Sequence, residues 1–158
     1  MAWKGRYKVK NLEKYVGDPT KVIYRSSWEL AYMKWCDGCS RVLKWGSEEI
    51  VVPYRCPTDD KIHRYFIDFY VQVVDEKTGA ITENLIEIKP YKETQPPKMN
   101  KNQRRYMVEV NKFVKNAAKW KHAKEYASQH GMGFHILTEK DLILPTVTRK
   151  NGTRKKAP

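Results

Sequence analysis

Acidic side chains are scarce in this chain: 18 Asp and Glu stand against 31 Lys and Arg over 158 residues. The resulting net charge of +13 is the electrostatic footprint of a polyanion binder, although ribosomal and membrane-surface proteins share it. Long apolar runs are missing too. No stretch approaches the ~18 to 20 residues of a membrane span, so no membrane partner is expected. The segment Met1–Lys10 lacks the apolar middle of a signal peptide, which makes a reducing, cytosolic setting the expectation. Cysteine is sparse, with Cys36 and Cys39 as a lone C-x-x-C and Cys56 apart from them. A Cys₃His zinc site can be drawn by adding His63, but a second closely spaced ligand pair is lacking. Free thiols are the simpler account. Internal repeats are absent. What is present is a folding sequence: hydrophobic residues make up 41%, enough for one domain with a core.

The pattern along the chain predicts three regions. Residues 1–22 read as a basic N-terminal arm with a turn at Gly17-Asp18-Pro19, 23–145 as the folded domain, and 146–158 as a basic disordered tail. Ser26 and Glu29 have capping-box spacing, so a helix is expected from there to Gly38, with Trp28, Ala31, Tyr32 and Trp35 inward. An extended run begins at Trp45 and centres on Ile50–Tyr54, with Pro53 marking an edge. Residues 63–74 predict one long strand, 75–79 a hairpin loop, and 82–89 a further strand. A helix is expected from Asn102. Asn116 is read as the cap of a second helix ending at Gly131. A buried strand at Gly133–Leu137 and a short helix from Thr138 follow. The fold class is α/β, a small mixed sheet flanked by helices, with the last strand parallel to an earlier one.

Within this plan two strands carry charge inside apolar runs. In Leu85-Ile-Glu-Ile-Lys-Pro90, strand alternation puts Glu87 and Lys89 on one face and turns Ile86 and Ile88 to the core. Asp68 lies inside Phe66-Ile-Asp-Phe-Tyr70, where simple solvation does not explain it. Phosphodiester hydrolysis needs charge shielding, an activated water and a stabilised leaving oxyanion. Carboxylate-held Mg²⁺ supplies all three, and a neighbouring lysine orients water or neutralises charge. Asp68, Glu87 and Lys89 are those residue types. Taken alone, acid-x-lysine also fits a solvated ion pair. Glu29 is explained equally by capping and by a metal role. Loop polarity accounts for Gln95, and a half-exposed strand position for His63.

A wider set of motifs is more specific. Tyr24–Glu29, Trp45–Glu48, Val52–Tyr54, Arg64–Asp68, Ile86–Pro90, Lys92–Pro97 and Phe134–Glu139 occur in an order that resembles the head completion nucleases of contractile-tailed phages. That family in turn resembles the PD-(D/E)XK nucleases and the endonuclease subunit of Tn7-type transposases. The resemblance implies a restriction-endonuclease-like core. It places the metal aspartate at Asp68, the second acid at Glu87, the catalytic lysine at Lys89 and a helix acid at Glu29. Ile67 departs from the motif by standing where its name has proline.

The function so implied is Mg²⁺-dependent DNA cleavage or end trimming (Mn²⁺ substituting) after packaging and before tail joining. Double-stranded DNA would be the substrate, portal or neck proteins the companions, and the virion or host cytoplasm the location. Lys98, Lys101, Arg104 and Arg105 are expected to hold flanking phosphates without reading sequence. Lys112, Lys115, Lys119, Lys121 and Lys124 read as a solvated helix face that a duplex could also use. Affinity should fall steeply with salt. Two other readings stand: a head or neck plug that grips DNA with a dormant nuclease fold, and a transposase-like or junction-resolving nuclease.

Overall fold

The computed structural model of the chain describes residues 4–142, so the expected basic tail lies outside the described residues. A four-stranded mixed sheet forms the centre, in the order β3 (Val42–Ser47), β6 (Phe69–Val74), β7 (Ile81–Ile88) and β8 (Gly133–Leu137). The first three are antiparallel and β8 runs parallel to β7. A parallel neighbour requires a crossover, and α2 (Gln103–Gln129) supplies it. Two short pairs flank the sheet: β1 (Gly5–Arg6) with β2 (Ile23–Tyr24), and the hairpin of β4 (Val51–Cys56) with β5 (Lys61–Phe66). Among the described residues no helix is long and apolar enough to cross a membrane.

One face of the sheet is covered by α1 (Ser27–Gly38) and the N-terminal segment. Ser26 caps α1 by accepting from the Glu29 N–H at 3.1 Å, as a capping residue does. The buried stripe of α1 is Tyr32, Met33 and Cys36, whereas Trp35, expected inward, is 40% exposed. The segment read as a basic arm contributes Tyr7, Val9, Tyr15 and Val22 to this core around Trp45. Its charges point outward while its aromatic residues pack. Asp37 clamps it there. This carboxylate is only 2% exposed and accepts from the Tyr7 hydroxyl at 2.8 Å, Lys10 N at 2.8 Å and Asn11 N at 3.1 Å. Burial opposes its charge, but those donors prevail and hold its pKa below the usual value.

The other face is covered by α2 and the β4–β5 hairpin, through Val52, Tyr54, Cys56, Tyr65, Ile67, Leu85, Ala123 and Ala127. Here four expectations are corrected. The long strand at 63–74 is two strands, because the chain leaves the hairpin after Phe66 and joins the sheet at Phe69. The run from Trp45 likewise divides into β3 and β4, which sit in different sheets, so there is no simple meander. Asn116 does not restart a helix. It is buried in the middle of an unbroken 27-residue α2, on the stripe that continues to Ala123 and Ala127. The strand β8, expected buried, is an edge strand with half-exposed side chains. Gly131, with φ +70°, ends the helix as expected.

Replacing Asp37 by Ala leaves three donors unsatisfied and should cost on the order of 3 kcal/mol at neutral pH. Because the folded pKa is depressed, Asp37 stabilises above its unfolded pKa and ceases to do so as pH falls through its folded one. Urea midpoints of wild type and Asp37→Ala should therefore converge in acid.

Candidate active site

The break between β5 and β6 creates the site. Phe69 pairs with Ile86, so the next position outward sets Asp68 opposite Glu87. Asp68 has left the ladder, and its groups find other partners. Its carbonyl accepts from Glu48 N at 3.1 Å, and its Oδ2 accepts from Ile88 N at 2.9 Å. Ile67 faces the hydrophobic core at 1% exposure, which gives a packing reason for isoleucine at that position.

Glu87 and Lys89 share a face of β7, and Ile86 and Ile88 lie in the core under α1. Glu87 is 5% exposed. Its Oε1 accepts from the Tyr65 hydroxyl and its Oε2 lies 3.7 Å from Lys89 Nζ. Glu29, one turn into α1, uses Oε1 to accept from Arg25 N at 3.0 Å. Arg25 also pairs with Glu48, which takes a left-handed backbone conformation with φ 57°. Asp68 and Glu29 are thus each fixed through one oxygen, whereas Glu87 has a partner at both. Asp68 Oδ1 and Glu29 Oε2 accept no hydrogen bond among the described residues.

The electrostatics follow from this crowding. Burial pushes the Asp68 pKa well up, and the Glu87 carboxylate raises it further, with Glu29 adding to the repulsion. Burial also raises Glu87, against the Tyr65 hydrogen bond and the nearby Lys89 and Lys119. Glu29 is raised by burial, opposed by Arg25. One buried and two half-buried carboxylates, with two ammonium groups beside them, form a donor set of hard oxygens. Such a set suits a divalent cation that prefers oxygen ligands, and binding one would relieve the repulsion. Asp68 and Glu87, with Glu29 as a third donor, are the residues that could hold such a cation, although among the described residues this triad does not bring its ligand atoms within 4.8 Å of one another.

Sequence reasoning missed two residues here. Tyr65 fixes Glu87 from the hairpin. Lys119, expected on a solvated face, is half-buried. Its ammonium stands 5.5 Å from the Tyr65 ring centroid and 6.0 Å from that of Tyr54. Burial lowers its pKa, and the charge of Lys89 lowers it further. The available signal was the spacing Asn116, Lys119, Ala123, which puts this lysine on the stripe of α2 facing the sheet. Lys112, from the same expected face, pairs with Glu93 at 3.3 Å.

The four expected phosphate contacts lie elsewhere. Lys98, Lys101, Arg104 and Arg105 are all exposed, in the loop before α2 and in its first turn. Arg105 also pairs with Glu109 at 3.6 Å. At 1.5 Å per residue, Arg104 is about 22 Å along the helix from Lys119. The possible zinc quartet does not assemble. Cys36 belongs to the core under α1, and the three thiols are free. Among the described residues, Cys56, Asp59 and His63 do bring their ligand atoms within 4.8 Å of one another at the hairpin tip. There His63 Nε2 is 2.7 Å from Asp59 Oδ2.

Comparison with known proteins agrees with this architecture. The TnsA-like endonuclease N-terminal family matches residues 39–139, a span holding Asp68, Glu87, Lys89 and Lys119 but not Glu29. The chain is also 41% identical over 147 residues to the Head completion nuclease of Enterobacteria phage T4, covering 90% of this chain and 95% of that protein. The chain therefore belongs to the TnsA-like endonuclease family, in a branch shared with a phage head completion nuclease, and carries that family's restriction-endonuclease-like fold.

Proposed function

We propose that this protein is a Mg²⁺-dependent endonuclease or end-trimming nuclease for double-stranded DNA, acting in phage head completion after packaging and before tail joining. The observation that carries the catalytic reading is the register that sets Asp68 opposite Glu87, with Lys89 at 3.7 Å from the latter. The head-completion setting is supported by the name of the T4 relative. Portal or neck proteins are the proposed companions, in the virion or the host cytoplasm.

Asp68 and Glu87 are the residues that hold the cation, with Glu29 as a further oxygen donor. Bound Mg²⁺ supplies shielding of the phosphate charge and a water acidified enough to act as nucleophile. Mn²⁺ should substitute for it at the same oxygens. Tyr65 holds Oε1 of Glu87, which keeps Oε2 turned toward Lys89. Lys89 orients the attacking water or neutralises charge developing on the scissile phosphate. The Ile88 N–H fixes Asp68 Oδ2 and leaves Oδ1 for the cation. A plug with a dormant fold has no use for three carboxylates oriented this way, and their repulsion would be a cost without return. Lys98, Lys101, Arg104 and Arg105 hold flanking phosphates in this reading, and their exposure supports it.

Plasmid nicking checks the chemistry. Wild-type protein should cleave with Mg²⁺ or Mn²⁺ and not with EDTA. Lys89→Ala should lose about 10²–10³-fold in rate, and Asp68→Ala and Glu87→Ala should fall to background. Cleavage that persists in Asp68→Ala and Lys89→Ala would refute the proposal.

The metal-free protein should also be destabilised by its own acids. A carboxyl whose folded pKa is raised binds more protons folded than unfolded, so stability falls as pH rises through that interval. Without metal, Asp68→Asn should melt higher than wild type at neutral pH, by roughly 2–4 °C per kcal/mol of repulsion removed. Added Mg²⁺ should raise the melting temperature of wild type and leave that of Asp68→Asn in place. Differential scanning fluorimetry reads both.

A further inference from the structure

We propose that Lys119 binds a backbone phosphate of the DNA at the Asp68–Glu87–Lys89 centre, so that α2 takes a direct part in seating the substrate. This rests on the endonuclease reading and adds a residue to it. Lys119 sits on the sheet-facing stripe of α2, three residues after buried Asn116 and four before buried Ala123. Its ammonium is half-buried over the faces of Tyr54 and Tyr65. No hydrogen bond or ion pair is made by that ammonium among the described residues. Removing a lysine from water is costly; Glu87 and Asp68 offset part of that cost without bonding the ammonium, and the two rings return another part.

The acids nearby are already committed. Glu87 is held by Tyr65 and Lys89, and Asp68 by the Ile88 N–H. Asp68, Glu87 and Glu29 carry three negative charges against the four positive charges of a divalent cation, Lys89 and Lys119, which leaves one surplus positive charge beside the centre. A phosphodiester is the anion that the site must accept. Lys119 is also well positioned for the task, because Tyr65 supports its ammonium with a ring whose hydroxyl is anchored on Glu87. The aromatic pair Tyr54–Tyr65, with centroids 6.4 Å apart and edge-to-face, forms the floor under it.

The test is the salt dependence of binding, which counts phosphate contacts. A short duplex of mixed sequence is titrated with the protein in Ca²⁺, which takes the same hard oxygen ligands, over a range of NaCl, with and without the substitution at Lys119, and the duplex is checked for integrity afterwards. Adding Lys119→Gln should make the slope of log K against log salt shallower by about 0.9. Lys119→Met, which keeps the aliphatic stem on the rings, should do the same if glutamine disturbs folding. Lys119→Arg should keep the parent slope. So should Lys77→Gln, in the hairpin loop at the far end of β6 from Asp68. An unchanged slope in folded Lys119→Gln or Lys119→Met protein overturns the proposal. If in that case Asp68→Ala and Lys89→Ala are still inactive on plasmid, the endonuclease reading survives without it. Undiminished cleavage by Asp68→Ala would instead remove the endonuclease reading, whatever the slopes.

Discussion

The carboxylates of Asp68, Glu87 and Glu29 crowd together where β6 begins and β7 ends, and the ammonium groups of Lys89 and Lys119 cancel their repulsion only in part. That arrangement costs free energy in the isolated protein, and the surrounding structure exists to hold it. The chain breaks its strand at Ile67 and Asp68, which brings the first acid to the start of β6, an interior strand of the sheet. The Ile88 N–H and the Glu48 N–H take over the bonds that the ladder would have supplied. Strand alternation in β7 brings the second acid and the lysine to the same face while Ile86 and Ile88 anchor the other side. Asp68 and Glu29 are tied by one oxygen and Glu87 by both, so the side chains are oriented before any cation or DNA arrives.

The two helices divide the labour. From one side α1 delivers Glu29, and Arg25 links that residue to Glu48 and so to the break that frames Asp68. From the other, α2 carries Lys119 toward the site. It also reaches some 40 Å at 1.5 Å per residue, so its exposed basic first turn lies well away from the acids. A duplex laid along such a helix meets positive charge at both the centre and the periphery. The hairpin of β4 and β5 joins the halves, since Tyr65 bonds Glu87 and lies under Lys119. The N-terminal segment, basic as it is, belongs to the body of the fold through Asp37 and the aromatic cluster at Trp45.

Much of this was legible in local patterns because local physics decides it. The Ser26 cap, the Gly79 turn, the β7 alternation of Glu87 and Lys89, and a last strand parallel to an earlier one all follow from spacing within a few residues. The break at Asp68 was not legible. Residues 63–74 have continuous β character, and only the competition between the hairpin and the sheet for pairing divides them. Asn116 misled for a related reason: asparagine favours caps in exposed chain, yet here it is buried in a stripe that tertiary contact selects. The inward face of α1 was misjudged because Trp35 outranks Met33 and Cys36 in bulk, while the sheet accepts the slimmer pair. Lys119 escaped notice among a run of lysines, whose roles the sequence spacing separates only once the facing surface is known.

The central claim is that Asp68 and Glu87 together hold one divalent cation. Anomalous scattering from a crystal soaked in Mn²⁺ tests it most directly. The account predicts a single strong peak about 2.1 Å from a carboxylate oxygen of each residue. A peak at Cys56, Asp59 and His63 with none at the Asp68–Glu87 pair would contradict it.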